Sequence, residues 1–280
     1  MDVRNLSGKT VLVTGAGSGI GKETALAFGR RGANLVICDL NEKGLAETEH
    51  QLRELGRDVF ARRVDVASRR DMREFAATVH AQVDAVDIVM NNAGVGLGAS
   101  FLDTDLDDWD WIVGINLRGV VHGCHFFLPP MVKRGQGGHV INVASAAAFA
   151  ATEVLSAYST TKFAVLGLSE ALRDEMRKHR IGVTAICPGI INTPITQTSP
   201  LRGAAMTEAA RKQMVEFYQR RNYGPERVAK NVLKAVQRNR SVAPISPEAW
   251  FIYYLKRAAP WLVARLNRAS TRRMQRAIEA

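Results

Sequence analysis

Lys9-Thr-Val-Leu-Val-Thr14-Gly15-Ala-Gly17-Ser18-Gly19-Ile20-Gly21 is an apolar run of strand character that passes directly into a glycine-rich turn, and a helix-like segment follows from Lys22 to Arg31. Strand, turn and helix N-terminus in that order make a place for a pyrophosphate. The glycines let the backbone come close, and the unpaired N–H groups of the first helical turn face the anion. The spacing is G-x-x-x-G-x-G on Gly15, Gly19 and Gly21, which departs from the G-x-G-x-x-G of the commonest dinucleotide fingerprint.

Further strand-like runs occur at Asn34–Cys38, Val59–Arg63, Ile88–Met90, His139–Val143, Val183–Ile186 and Val242–Ile245. Helix-length segments at about Glu42–Leu55, Arg69–Val83, Leu106–Lys133, Ala157–His179 and Pro225–Asn239 separate them. Strands alternating with helices predict right-handed crossovers and a doubly wound parallel α/β sheet of about seven strands. Ligands of such sheets sit outside the carboxyl ends of the strands. Gly15, Asp39, Asn92, Ser145 and Pro188 each follow a predicted strand, so they converge on that edge.

Tyr158 and Lys162 stand four residues apart in Ser156-Ala-Tyr-Ser-Thr-Thr-Lys, so both leave one face of the predicted helix. A free phenol titrates near 10, and an adjacent ammonium lowers that by about 1–3 units. The spacing therefore predicts a Tyr158 able to give and take protons at ordinary pH.

Taken in order, Gly15-x-x-x-Gly19-x-Gly21, Asn91-Asn92-Ala93-Gly94, Asn116, Ser145, Tyr158-x-x-x-Lys162 and Pro188-Gly189 resemble the single-domain short-chain dehydrogenase/reductase family, over about residues 6–193. The resemblance implies a Rossmann-type fold and a catalytic tetrad of Asn116, Ser145, Tyr158 and Lys162. Ser145 would hold the substrate oxygen and Tyr158 exchange its proton. Lys162 would lower the phenol pKa and bind the nicotinamide ribose, and Asn116 anchor a proton-relay water. It also implies cofactor contacts from Gly15, Ser18, Gly19, Ile20, Gly21, Asp39 and Leu40. Asp65 and Val66 would border the adenine, and Asn92, Ala93 and Gly94 the ribose. Pro188, Gly189, Ile191 and Thr193 would lie on the nicotinamide side. A homodimer through the two long helix candidates is implied as well, with a tetramer as the alternative.

Asp39 points to NAD. It ends the second strand 18 residues after Gly21, where a carboxylate accepts hydrogen bonds from an adenosine ribose. A 2′-phosphate about 4 Å away would be repelled by about 4 kcal/mol at an effective dielectric of 20. The cations that would offset this are lacking: Ala16, Gly17, Ser18, Leu40 and Asn41 are uncharged, and only Lys43 is near. The other reading of Asp39 is a cap for the helix beginning near Glu42.

The substrate is expected among Ser145, Ala147, Phe149, Leu155, Tyr158 and Ile190, mostly small or apolar, which favours a lipophilic alcohol or ketone. A loop at about 190–215, with Thr193-Pro194 and Ser199-Pro200, suits a lid.

The chain of 280 residues, 46% hydrophobic and 23% charged, matches one globular domain. Met1 to Lys9 has no signal-peptide core, no run approaches the roughly 18 apolar residues of a membrane span, and a cytoplasmic setting is expected. Cys38, Cys124 and Cys187 lie in apolar runs without metal spacing, so reduced buried thiols and no metal are expected. The formal charge of +11 is lopsided: residues 1–201 carry 21 Lys/Arg against 22 Asp/Glu, and residues 202–280 carry 17 against 5. No nucleic-acid module accompanies this excess, and no nucleic-acid partner is expected.

A catalytic domain over 1–246 is expected to be followed by a basic helical extension over 247–280. Many relatives in the family place an Asp-Gly-Gly strand motif where this chain reads Arg240-Ser-Val-Ala-Pro-Ile-Ser-Pro247, which puts the tetramer contact in doubt. Aromatics at 250, 251, 253, 254 and 261 interleave with Lys256, Arg257, Arg265, Arg268, Arg272 and Arg273, as in lipid-, steroid- and retinoid-handling relatives. This pattern suits a helix lying on an anionic membrane; equally, the aromatics could pack on the body or on a partner. The leading function is thus an NAD-dependent oxidoreductase of a lipophilic secondary alcohol or ketone. The alternatives are an epimerase or dehydratase of the sugar-nucleotide type, which the glycine spacing disfavours, and a non-catalytic nucleotide-sensing module, which the intact tetrad disfavours.

Overall fold

A computed structural model describes residues 2–203 and 208–265. The first half runs β1 (Thr10–Thr14), α1 (Gly19–Gly29), β2 (Asn34–Asp39), α2 (Glu42–Glu54), β3 (Val59–Arg63), α3 (Arg69–His80) and β4 (Ile88–Asn91). α4 (Leu106–Val113), α5 (Gly119–Arg134), β5 (Gly138–Val143), α6 (Ser156–Met176) and β6 (Ile181–Pro188) follow. The chain continues with α7 (Ile195–Thr198), α8 (Glu208–Arg221), α9 (Pro225–Gln237), β7 (Val242–Ile245) and α10 (Pro247–Ala258). All seven strands are parallel, in the order β3-β2-β1-β4-β5-β6-β7. The order reverses between β1 and β4, which opens the crevice where such sheets bind ligands.

Two cores explain the double winding. Successive strand residues point to opposite faces, so Leu12 and Val89 pack with Phe75, Phe127 and Val165 of α3, α5 and α6. Val11, Val13 and Met90 pack instead with Phe28, Leu52 and Val232 of α1, α2 and α9. Each such fully buried side chain contributes about 1.5–3 kcal/mol relative to exposure. Cys38, Cys124 and Cys187 are free and buried. Burial pushes the Cys124 thiol up to about 12 and raises the other two further, which keeps all three inert as thiolates.

The predicted helix over Leu106–Lys133 is broken. Between α4 and α5 a π-helical turn spans Gly114–Arg118 and carries Asn116; such turns commonly mark functional sites. The lid also contains a helix, α8, that the sequence reading treated as loop.

The C-terminal aromatics divide by side. Tyr253 packs edge-on against Phe149 with ring centroids 5.0 Å apart, the Arg257 guanidinium lies 3.8 Å from the Tyr253 ring centroid, and Arg240 covers Trp250 at 5.3 Å. Phe251, Tyr254 and Trp261 face outward, 61–62% exposed. Arg268, Arg272 and Arg273 lie outside the described residues. Among the described residues, no helix is long and apolar enough to cross a membrane.

Candidate active site

The glycine turn is a cradle for backbone approach. Gly15 has φ +65°, and a Cβ there would lie 2.7 Å from the Ala93 Cα. A Cβ on Gly21 would overlap the Gly15 carbonyl oxygen and the Asn92 amide nitrogen. Asn92 fixes this meeting of β1 and β4: its Nδ2 donates to Thr14 O at 2.9 Å and Gly15 O at 3.0 Å. Thr14 Oγ1 accepts from the N–H groups of Asn92 and Ala93, both at 3.0 Å. Side chains cap α2, α3 and α4 through Asn41, Ser68 and Asp105, whereas Ser18 makes no side-chain cap bond to α1. The first-turn donors of α1, next to Ser18, Gly19 and Ile20, are thus left for an anion.

Asp39 closes the turn from β2. Its Oδ2 accepts from Gly17 N–H and its Oδ1 from Asn41 N–H, each at 2.8 Å. Asn41, not Asp39, caps α2. A carboxylate has about four acceptor positions, so two remain for ribose hydroxyls. Leu40 is half exposed beside it; Asp65 Oδ1 accepts from Ala67 N–H at 2.9 Å, and Val66 is buried. A glycine cradle, an open helix N-terminus and an acidic end of β2 fit a dinucleotide with a free 2′-hydroxyl.

The catalytic candidates come together at the carboxyl end of β5. Tyr158 and Lys162 share the inward face of α6 with Val165 and Ser169. Lys162 is 4% exposed; its Nζ lies 5.6 Å from the Tyr158 ring centroid and donates to Val143 O at 3.0 Å. Ser145 follows β5, and its Oγ accepts from Ala147 N–H at 3.1 Å. Asn116 is fully buried: its Oδ1 accepts from Val95 N–H at 2.8 Å, and its Nδ2 donates to Val95 O at 2.9 Å and Thr161 Oγ1 at 3.2 Å. The side chain therefore clamps the segment after β4 to α6. A Cβ on Gly94 would lie 3.2 Å from Asn116 Oδ1 and 3.4 Å from Lys162 Nζ, so both groups approach the bare flank of that glycine.

The expected lowering of the phenol pKa is not what the structure shows. Burial of its hydroxyl pushes Tyr158 up to about 12, although a hydrogen bond with Ser145 acts in the opposite direction, and Tyr218 adds to the rise. The ring itself keeps some exposure. Burial also pulls Lys162 down to about 8. Both groups are driven toward their neutral forms, because enclosure removes solvation while the ammonium is directed at Val143.

The loop after β6 closes the other side. Pro188 ends β6, Ile191 is buried, and Thr193 lies over Gly19, whose Cβ would stand 3.5 Å from that of Thr193. The lid base is tied down by Arg202, which grips Asp108 through two bonds of 2.9 and 3.0 Å, and Arg211 Nη1 donates to Gln197 O and Ser199 O at 2.8 Å each. Residues 204–207 of the lid lie outside the described residues. Ala147 sits in the 3-10 turn Ala146–Ala148 and Leu155 bridges to Ala99. Phe149 is 3% exposed and its ring partner is Tyr253, so it packs on α10. Two groups were missed by the sequence reading. Tyr218 of α8 adds to the rise of the Tyr158 pKa, and Glu248 of α10 accepts from Ile190 N–H at 2.9 Å. Ser246-Pro247-Glu248 had a helix-start signature, but nothing local marked Tyr218.

The short chain dehydrogenase family model matches residues 9–202. EphD of Mycobacterium tuberculosis, named a probable oxidoreductase, is 41% identical over 254 residues, covering 89% of this chain and 43% of its own length. SadH of the same organism, also named an oxidoreductase, is 34% identical over 258 residues, covering 90% and 91%. Among solved structures, a short-chain dehydrogenase/reductase from Burkholderia phymatum in complex with NAD superposes with a TM-score of 0.84 at 28% identity, over 94% of this chain and 96% of that one.

Proposed function

The chain belongs to the short-chain dehydrogenase family, and from that premise we propose that it interconverts a lipophilic secondary alcohol and its ketone with Tyr158 as general acid/base. The reaction class, NAD-dependent oxidoreduction, is that of the family. The substrate and the residue roles are our reading. The observation that carries them is the convergence of Ser145, Tyr158 and Lys162 at one end of the sheet, facing the glycine cradle.

Bound NAD supplies the hydride acceptor at its nicotinamide. Ser145 Oγ holds the substrate oxygen, and Tyr158 takes the hydroxyl proton in oxidation or returns it in reduction. The phenol stays protonated at working pH, so it holds the proton that reduction of a ketone consumes. Lys162, down at about 8, changes charge near working pH and can pass the proton onward. Asn116 holds Val95 in place so that the flank of Gly94 stays beside Lys162.

The lipophilic character rests on Ala147, Leu155 and Ile190 around the oxygen site. Because each buried methylene contributes about 0.8 kcal/mol, roughly a fourfold gain in kcat/KM per added methylene is expected along a series of secondary alcohols read at 340 nm with NAD. A flat series would sink the lipophilic assignment. No absorbance change across alcohols and ketones, with NADH still bound, would favour the nucleotide-sensing alternative.

Two associations belong to the same reading. Trp111, Val121 and Phe163 leave 36–41% of their surface exposed on α4, α5 and α6, which supports a homodimer through that face. Phe251, Tyr254 and Trp261, beside Lys256 and Arg257, support contact with an anionic lipid surface. Cosedimentation with phosphatidylserine vesicles at low salt is expected to drop several-fold in the F251D/W261D variant; unchanged pelleting would dispose of that contact.

A further inference from the structure

We propose that Glu248 is a positioning residue that ties the α8 lid to the loop at 189–193 and so sets the affinity for the nicotinamide half of NAD. The inference rests on the reading of that loop as the nicotinamide side of the site.

Glu248 occupies the first turn of α10. An acidic residue there suits the helix dipole wherever it points, but this one reaches two other elements, one with each oxygen. Oε1 accepts from Ile190 N–H at 2.9 Å, and Oε2 accepts from Arg221 Nη2 at 2.6 Å. Arg221 is the last residue of α8. Burial opposes ionisation of Glu248, yet its hydrogen bonds, that from Arg221 foremost, hold its pKa below the usual carboxylate range, so the link is a charged one.

The backbone around Glu248 is arranged for close approach. Ser246, at the exit of β7, has φ +94° and ψ 154°, a region that glycine adopts freely and an L side chain does not. A Cβ on Gly189 would overlap Ser246 Oγ and stand 2.8 Å from Glu248 Oε1. A strained serine and a bare glycine thus bring the carboxylate onto the loop.

The loop is held at three successive points. Gly189 N–H donates to Ile245 O at 3.0 Å, Ile190 N–H to Glu248, and Asn192 N–H to Tyr223 O at 3.0 Å. Tyr223 in turn carries the guanidinium groups of Arg221 and Arg227 beside its ring, each at 5.6 Å from the centroid. Arg221 therefore touches two of the three holds, directly at Glu248 and through Tyr223 at Asn192. Arg221 thus couples the end of α8 to the loop through Glu248.

The test compares NADH with ADP-ribose, which lacks the nicotinamide, by calorimetry on the full chain. In Glu248→Ala the NADH Kd is expected to rise about tenfold while that of ADP-ribose stays within about twofold. Glu248→Gln keeps an oxygen for Ile190 N–H and should recover most of the NADH affinity. Arg221→Ala, which removes the carboxylate's partner but leaves the Ile190 bond itself, should raise the NADH Kd about threefold and carries the test if Glu248→Ala does not fold. Wild-type NADH affinity in Glu248→Ala, equal losses for both ligands, or a Gln variant no better than Ala would overturn the proposal. Wild-type protein that binds NADH no more tightly than ADP-ribose would instead overturn the reading of the loop, and the proposal with it.

Discussion

Tyr158→Phe is expected to bind NADH within about twofold of the wild type and to lose at least about 10³-fold in kcat. The substitution removes one oxygen and leaves the ring, its place on α6 and the 4%-exposed Lys162 beneath it in position. What disappears is the phenol that has both Ser145 and Lys162 as neighbours. General acid/base groups contribute about 10²–10⁴-fold, and no other titratable side chain on α6 takes over, since Lys162 is directed at Val143 O. Steady-state rates on any accepted alcohol, beside NADH titration by fluorescence, settle the matter. Retention of more than about a tenth of wild-type kcat would remove Tyr158 from the proton path.

Gly21→Ala carries the second large effect, with one methyl group abolishing nucleotide binding. That methyl would fall on the Gly15 carbonyl and on the Asn92 amide. Neither atom is a free side-chain end: one is backbone, and the other is held by bonds of 2.9 and 3.0 Å to Thr14 O and Gly15 O. Relief requires α1 to move off the turn, which spoils the donors offered to the pyrophosphate. Forced overpacking of this kind costs about 1–3 kcal/mol, a fall of a few degrees in Tm for a chain of this size. The NADH Kd is expected to rise at least about 100-fold. Gly167→Ala on α6, where an added Cβ meets nothing within 4 Å, serves as the control and should not lower Tm. A Gly21→Ala protein with wild-type NADH affinity would show that the turn does not hold the pyrophosphate.

The aromatic tail shows how burial divides a pattern that looks uniform in the sequence. Trp250 and Tyr253 pack beneath arginines and Tyr253 against Phe149, whereas Phe251 and Tyr254 on the same helix stay largely exposed, Tyr254 stacked on Trp250. A helix with aromatics on two sides can pack one side on the body and leave the other exposed. Asn116 behaved similarly. Its residue type and place in the chain identified it, but only the tertiary structure revealed the π turn and the bonds of its amide to Val95 and Thr161.

From the order of residues alone came the parallel sheet, its double winding, the glycine cradle, the acidic end of β2 and the pairing of Tyr158 with Lys162. Each depends on chemistry within a few residues: φ freedom at glycine, strand and helix periodicity, and an i, i+4 spacing on one helical face. The tertiary structure alone decided the protonation balance of that pair, the helix within the lid, and the hold of Glu248 on Ile190 across 58 residues of chain. Those properties arise from the summed enclosure of a group by distant segments and from contacts closed only when β7 and α10 dock beside β6, and such sums leave no local trace in the sequence.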